Sequence, residues 1–258
     1  MSLGQTTGRS SGRGALFTLT AIAVMAVSAL SFAASADAPP AAPSPDPHNI
    51  SGTWFGTGFY EPGNRVFRPL EGGDPPFTDK GKAIFATRRE IDKEGHPLHT
   101  PAYACAPSGF LGAHNGAPFD IIQTPGQITF VYEGNHDEAI VRMDQDHPKK
   151  LVPTFNGDAV GHWDGDTLVI DTVGLRGDRW LDYQGTPAGD KLHVIERVKK
   201  INDGKTLDYV MTIDDPEMYT KPWSFHRIFL WKPQERVGEE ICEEDLDIVE
   251  PDARHPAN

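Results

Sequence analysis

The sequence predicts an all-β fold, an antiparallel β-barrel or a strongly curved sheet, on three observations. The chain holds 26 glycines and 22 prolines in 258 residues, a turn-rich composition that suits short strands and disfavours a helical bundle. Asp164-Gly165-Asp166 and Asn202-Asp203-Gly204 each stand between runs of strand character, and such residues supply the left-handed positions of tight hairpins. Strands do not alternate with helical periodicity, so a parallel α/β sheet is excluded.

The N-terminus comes before any of this. Arg9 and Arg13 precede an apolar run from Ala15 to Leu30 and the small residues Ala33, Ala34 and Ala36, which is the pattern of a secretory signal over residues 1–36. The run is shorter than the ~20 residues of a spanning helix, so no membrane span is expected once the signal is removed. Residues 37–49 are rich in Pro and Ala and read as a linker, residues 50–250 as a single β domain, and residues 251–258 as a frayed tail. The expected location is therefore periplasmic or secreted.

Within the domain, Ile50 to Tyr60 alternates apolar and small residues and reads as a first strand. Thr78 is a candidate N-cap for one short helix over residues 80–90, which Gly81 weakens. A long loop follows to Pro118, carrying Cys105 and His114. Residues 120–123 and 127–133 form a hairpin about Pro125-Gly126, and residues 138–143 a further strand. The two Asp-Gly turns join residues 159–163 to 167–171 and residues 191–201 to 206–213, and Trp223 to Trp231 is the last strand. Roughly nine or ten antiparallel strands in one domain close most simply as a barrel, with a lipocalin-like closure as one form and a two-sheet sandwich as the alternative. The acidic run 239–250 reads as a solvated face.

The formal net charge of −13 repels phosphate backbones and anionic lipid, so nucleic acid is excluded as a partner and a small molecule is expected instead. Cys105 and Cys242 in an exported chain predict one disulfide, with two buried thiols as the alternative. There is no CxxC, HxH or HExxH spacing, and no Walker A, GxSxG or dinucleotide fingerprint, so neither a metal nor a cofactor is expected.

Polar residues on the buried parity of a barrel strand are the informative ones. Glu196 shares its parity with Leu192, Val194 and Val198, and Glu133 shares its own with Thr129 and Val131. A carboxylate in such company either meets an arginine, such as Arg142 or Arg197, or has a raised pKa suited to acid–base work. His136 and His162 are the histidines best placed to serve beside a carboxylate, whereas His48, His147 and His255 stand next to prolines and read as surface. Asp214 and Asp215 end a strand before Pro216, with Asp215 suited to cap the turn and Tyr219 and Trp223 near a barrel mouth. Trp54, Tyr132, Arg142, Trp163, Asp214, Tyr219 and Trp223 are the expected substrate-binding residues.

Several segments taken together, Cys105 to Gly109, Phe119 to Gly126, Tyr132-Glu133, Gly161 to Thr172, His193 to Arg197, and Thr212 to Pro216 with Pro222-Trp223, resemble a broad family of exported bacterial proteins usually described as hypothetical. The resemblance spans most of the domain and implies that Glu133, Arg142, Trp163, Asp166, Glu196, Arg197, Asp214, Asp215 and Trp223 occupy motif positions. The chain departs from that pattern at residues 187–190, where a histidine is usual, and at residues 242–245, where an asparagine is usual.

These readings converge on an exported, cofactor-free enzyme of lyase, isomerase or hydrolase type. Glu133 or Glu196 and His136 or His162 act as acid and base on a small apolar or aromatic molecule held in the barrel. The alternative is a periplasmic carrier using the same cavity without catalysis.

Overall fold

The computed structural model describes residues 42–57, 67–93, 117–134, 137–177, 180–182 and 184–238. The signal segment, Cys105, Cys242, His114, His136, the acidic run 239–250 and the C-terminal tail lie outside the described residues.

Among the described residues nine strands close a barrel in sequence order. They are β1 (Gly52–Gly56), β2 (Phe119–Thr124), β3 (Gln127–Tyr132), β4 (Glu138–Met143), β5 (Asp158–Asp164), β6 (Thr167–Val173), β7 (His193–Ile201), β8 (Thr206–Asp214) and β9 (Trp223–Trp231), with α1 (Asp79–Lys93) between β1 and β2. The barrel is therefore closed, and the sandwich alternative is set aside.

Alternation of side chains explains why these segments are strands. In β7, Val194, Glu196 and Val198 are buried while Arg197 and Lys199 are exposed, the period of two that a sheet with one inner face requires. In β3, Ile128, Phe130 and Tyr132 point inward in the same manner. The interior is dominated by aromatic rings, among them Trp54, Phe119, Phe130, Tyr209, Phe225 and Phe229, all at most 2% exposed. Phe119 and Tyr209 each meet Phe229 edge to face, at 5.0 and 5.5 Å between ring centres. Burial of each such side chain contributes about 2–3 kcal/mol before chain entropy is counted.

One joint departs from the antiparallel expectation. β4 and β5 run parallel, paired through Val141–Ala159, Arg142–Val160 and Met143–Gly161. Parallel neighbours cannot be joined by a tight hairpin, so residues 144–157 run back outside the barrel to start β5 at the end where β4 began. The Thr154 amide donates to the Gly174 carbonyl (3.0 Å) and the Thr154 carbonyl accepts from the Arg176 amide (2.9 Å), which anchors this crossover beyond β6.

The two ends of the barrel differ. At one end lie the turns after β2, β5 and β7 and the start of β1, and here residues 42–50 form a plug. Expected as linker over 37–49, this stretch is held by Lys200, whose ammonium donates to the carbonyls of Ser44, Asp46 and Asn49 at 2.6–2.7 Å. His48 is exposed, as expected, and stacks on Trp163 at 4.3 Å, while Ile50 is fully buried. Gly52 sits where a Cβ would stand 2.0 Å from the Trp231 ring, so only glycine lets β1 pass that close to β9.

The opposite end is covered by α1 and, among the described residues, by 67–78, 176–177, 180–182, 184–192 and 215–222. Thr78 caps α1 as expected, accepting from the Gly81 amide (3.1 Å) and donating its hydroxyl to the Glu217 carbonyl (2.8 Å). The helix runs from Asp79 to Lys93, longer than the expected 80–90. Gly81, a weak helix former, is there because a Cβ would come 2.3 Å from the Met218 carbonyl oxygen.

Candidate functional site

Glu196 lies on the inward face of β7, 3% exposed, between Ile170 of β6 and Met211 of β8. Its Oε2 accepts the Tyr209 hydroxyl at 2.6 Å. Burial pushes the Glu196 carboxyl up to about 7, and the Tyr209 hydrogen bond, which favours the charged form, pulls in the opposite direction. Tyr132, on the inward face of β3, feels the same carboxylate: its phenol is held well above its ordinary value by burial first, then by Glu196 and Asp137. Tyr209 is raised likewise, by burial first and then by Glu196 and Tyr132. The barrel lumen thus holds a carboxyl group flanked by two neutral phenols.

A second layer of charge lies towards the covered end. Arg227 is on the inward face of β9, opposite Tyr209, with its guanidinium 4.8 Å from the Phe67 ring centre and 5.6 Å from that of Phe225. Arg88 of α1 lies 4.6 Å from the Trp180 ring centre and donates to the Gly185 carbonyl (2.9 Å). Burial lowers both arginines, Arg88 to about 10, and the Asp182 carboxylate opposes the fall in each. Asp182 also accepts from the amides of Phe67, Gln184 and Thr186 and from the Thr186 hydroxyl, so it organises the loop as well as the charge. Asp215 does similar work for residues 215–222, accepting from the amides of Gly189 (2.6 Å) and Glu217 (3.0 Å), and burial raises its carboxyl.

The structure brings Glu196 and Tyr132 together in the lumen and places the other sequence candidates elsewhere. Glu133 follows β3 on the outward parity, and its Oε2 accepts from the Gly238 amide at 2.8 Å. His162 is exposed on the outer face of β5. Arg142 pairs with Asp158 at 2.6 Å, and Arg197 with Asp164 at 2.8 Å; neither meets Glu133. Asp214 is on the outward parity of β8, across from His193. Trp54 donates its indole N–H to the Ile50 carbonyl at the plug end (2.9 Å), where Trp163 also lies. Tyr219 donates to the Pro187 carbonyl at 2.6 Å and packs edge to face on Trp223, so both belong to the covered end.

Several residues escaped the sequence reading. Tyr209 was legible in principle, because the turn at 202–204 pairs Ile201 with Thr206 and thereby sets Tyr209 opposite Val198, the next inward residue after Glu196. Arg227 was legible too, between Phe225 and Phe229 on one parity. His147, expected at the surface, is three-quarters covered: Nδ1 is 2.6 Å from Asp158 Oδ1 and Nε2 is 3.2 Å from Asp171 Oδ1, which also receives His193 Nε2 at 2.9 Å. This chain of polar contacts binds the crossover to β5, β6 and β7 on the barrel's outer face. Nothing in its sequence spacing announces it. Among the described residues, no group of three or more His, Cys, Asp or Glu side chains is placed to hold a metal ion.

No protein-family model and no curated protein sequence matches the chain. The lumen around Glu196 is therefore read on its own chemistry.

Proposed function

We propose that the barrel holds a small, largely apolar or aromatic molecule in its lumen and that Glu196 exchanges a proton with it. The observation that carries this reading is a carboxyl group at the centre of an aromatic interior, poised near neutrality at about 7 and hydrogen-bonded to Tyr209. Such a group donates or accepts a proton at little cost at physiological pH, which is the requirement for general acid–base catalysis. The reaction class is a proton-transfer step, such as an isomerisation or elimination, in which Tyr132 supplies a neutral O–H group to a developing negative oxygen while Tyr209 holds the Glu196 carboxyl.

A carrier is the second reading. It is favoured by the placement of His162 on the outer face, which leaves Glu196 without that histidine as a proton-transfer partner. Export is part of the proposal as well, supported by the basic, apolar and small-residue pattern of residues 1–36 and by the resemblance to exported proteins.

The test is untargeted mass spectrometry of small molecules recovered with the wild-type protein and with Glu196→Gln, before and after incubation with extract of the producing cells. Gln keeps the shape and the Tyr209 contact but cannot titrate. An enzyme yields a molecule retained by both proteins and chemically changed by the wild type alone. A carrier returns it unchanged from both, and recovery of no molecule from either overturns the lumen as a ligand site.

A further inference from the structure

Among the described residues, three buried side-chain polar atoms have no hydrogen-bond partner: Trp223 Nε1, Thr172 Oγ1 and Asn156 Oδ1. Interiors leave few such groups, because an unmade buried hydrogen bond forfeits hydration without recompense. All three lie towards the covered end of the barrel. Trp223 opens β9, Thr172 is the last but one residue of β6, and Asn156 stands two residues before the start of β5.

Two of them share one row. The pairs Thr172–Val194, Val194–Ile213 and Ile213–Trp223 run across four strands on the inward face. Thr172 is 1% and Trp223 2% exposed. The row lies one step nearer the covered end than Glu196. Asn156 stands on the Thr172 side, since its neighbour Gly157 sits close enough that a Cβ would come 2.9 Å from Thr172 Cγ2. Its amide is oriented without ambiguity, because Nδ2 donates to Asp137 Oδ1 (2.7 Å) and the Glu138 carbonyl (2.8 Å).

The three atoms define a pattern. An indole N–H only donates, an amide oxygen only accepts, and a threonine hydroxyl does both. All are neutral dipoles, so these three atoms match uncharged polar groups and offer a charged one no counter-ion of their own. We propose that the covered end of the lumen recognises an uncharged molecule that offers a carbonyl-type acceptor to Trp223 Nε1 and a hydroxyl or amide N–H to Thr172 Oγ1, with Asn156 Oδ1 on the same side. This deepens the lumen reading and rests on it.

The test uses the full chain and four probes of one shape: 4-hydroxyacetophenone, 4-ethylphenol without the carbonyl, 4-methylacetophenone without the hydroxyl, and anionic 4-hydroxybenzoate. Affinities are measured by titration while the indole N–H signals are followed by NMR, the Trp223 signal being identified by its loss in Trp223→Phe. 4-Hydroxyacetophenone should bind tightest and move the Trp223 signal, and each neutral analogue should bind about tenfold more weakly, as one lost neutral hydrogen bond implies. The preference for the carbonyl should vanish in Trp223→Phe, and that for the hydroxyl in Thr172→Val, which removes only an unpartnered group and so keeps the fold. Equal binding of the neutral probes with no effect of either variant, a Trp223 signal that contacts water alone, or preference for the anion overturns this inference and leaves the lumen reading standing. Binding of none of the four overturns both.

Discussion

At the scale of single residues, Glu196 makes the sharpest demands. An unfolded glutamate titrates near ~4.3, whereas the folded one is pushed up to about 7. The folded state therefore holds the proton more tightly, and the stability this group contributes is fully present below the lower value and lost as pH rises through the upper one. On this account the protein is about 3 kcal/mol less stable at pH 8 than at pH 4. Urea denaturation of wild type and Glu196→Gln at both pH values checks it, because only the wild type should lose that increment. Tyr209→Phe removes a hydrogen bond that lowers the Glu196 pKa, so its midpoint should move to higher pH in carboxyl-labelled NMR spectra. The same change should cost about 1–3 kcal/mol, as for a hydrogen bond to an ionisable partner. Residue-scale chemistry was partly legible beforehand: parity placed Glu196 on the inner face, since Val194 and Val198 bracket it. Parity could not say which face of β3 was inner, and that is why Glu133 looked equivalent until Phe130 and Tyr132 were seen to fill the lumen.

At the scale of elements, the plug over residues 42–50 is tied down by Gln123, which bonds the Ile50 amide and the His48 carbonyl, and most heavily by Lys200. Lys200→Met keeps the aliphatic stem and removes three charged hydrogen bonds to carbonyls. Because the ammonium is partly exposed, the loss should be about 1–2 kcal/mol, with limited proteolysis cutting within 42–49 before any other part of the barrel. No local pattern foretold this, because a Pro/Ala-rich stretch with no apolar period looks like linker, and its anchor lies some 150 residues later in the chain at Lys200. The hairpins were legible for the opposite reason. Their turns and registers are decided by adjacent residues, as at Asn202 and Asp203, both of which adopt positive φ. The helix was found but placed short, since Gly81 answers to the Met218 carbonyl and not to helix propensity.

At the scale of the whole molecule, the joints of the barrel are unequal. β7 and β8 are paired along nine residues, whereas β4 and β5, β1 and β2, and β1 and β9 are each paired along three. Hydrogen exchange should therefore protect residues 194–200 and 207–213 longest and release the short joints, 52–56 with 141–143 and 159–161, early, and His147→Ala, which frees the crossover from Asp158 and Asp171, should hasten release at the β4–β5 joint alone. The parallel joint itself follows from counting. Strands that alternate in direction around a ring return to their starting sense only if their number is even, so a ring of nine must contain at least one pair running the same way. Here that pair is not the terminal one, because β1 and β9 are antiparallel and the Lys232 amide donates to the Thr53 carbonyl at 3.0 Å. A circular permutant, with residue 238 joined to residue 42 and the chain reopened between Lys149 and Lys150, would thus become a plain nine-stranded meander. Every consecutive pair in it would be antiparallel, and the odd joint would fall between its own first and last strands.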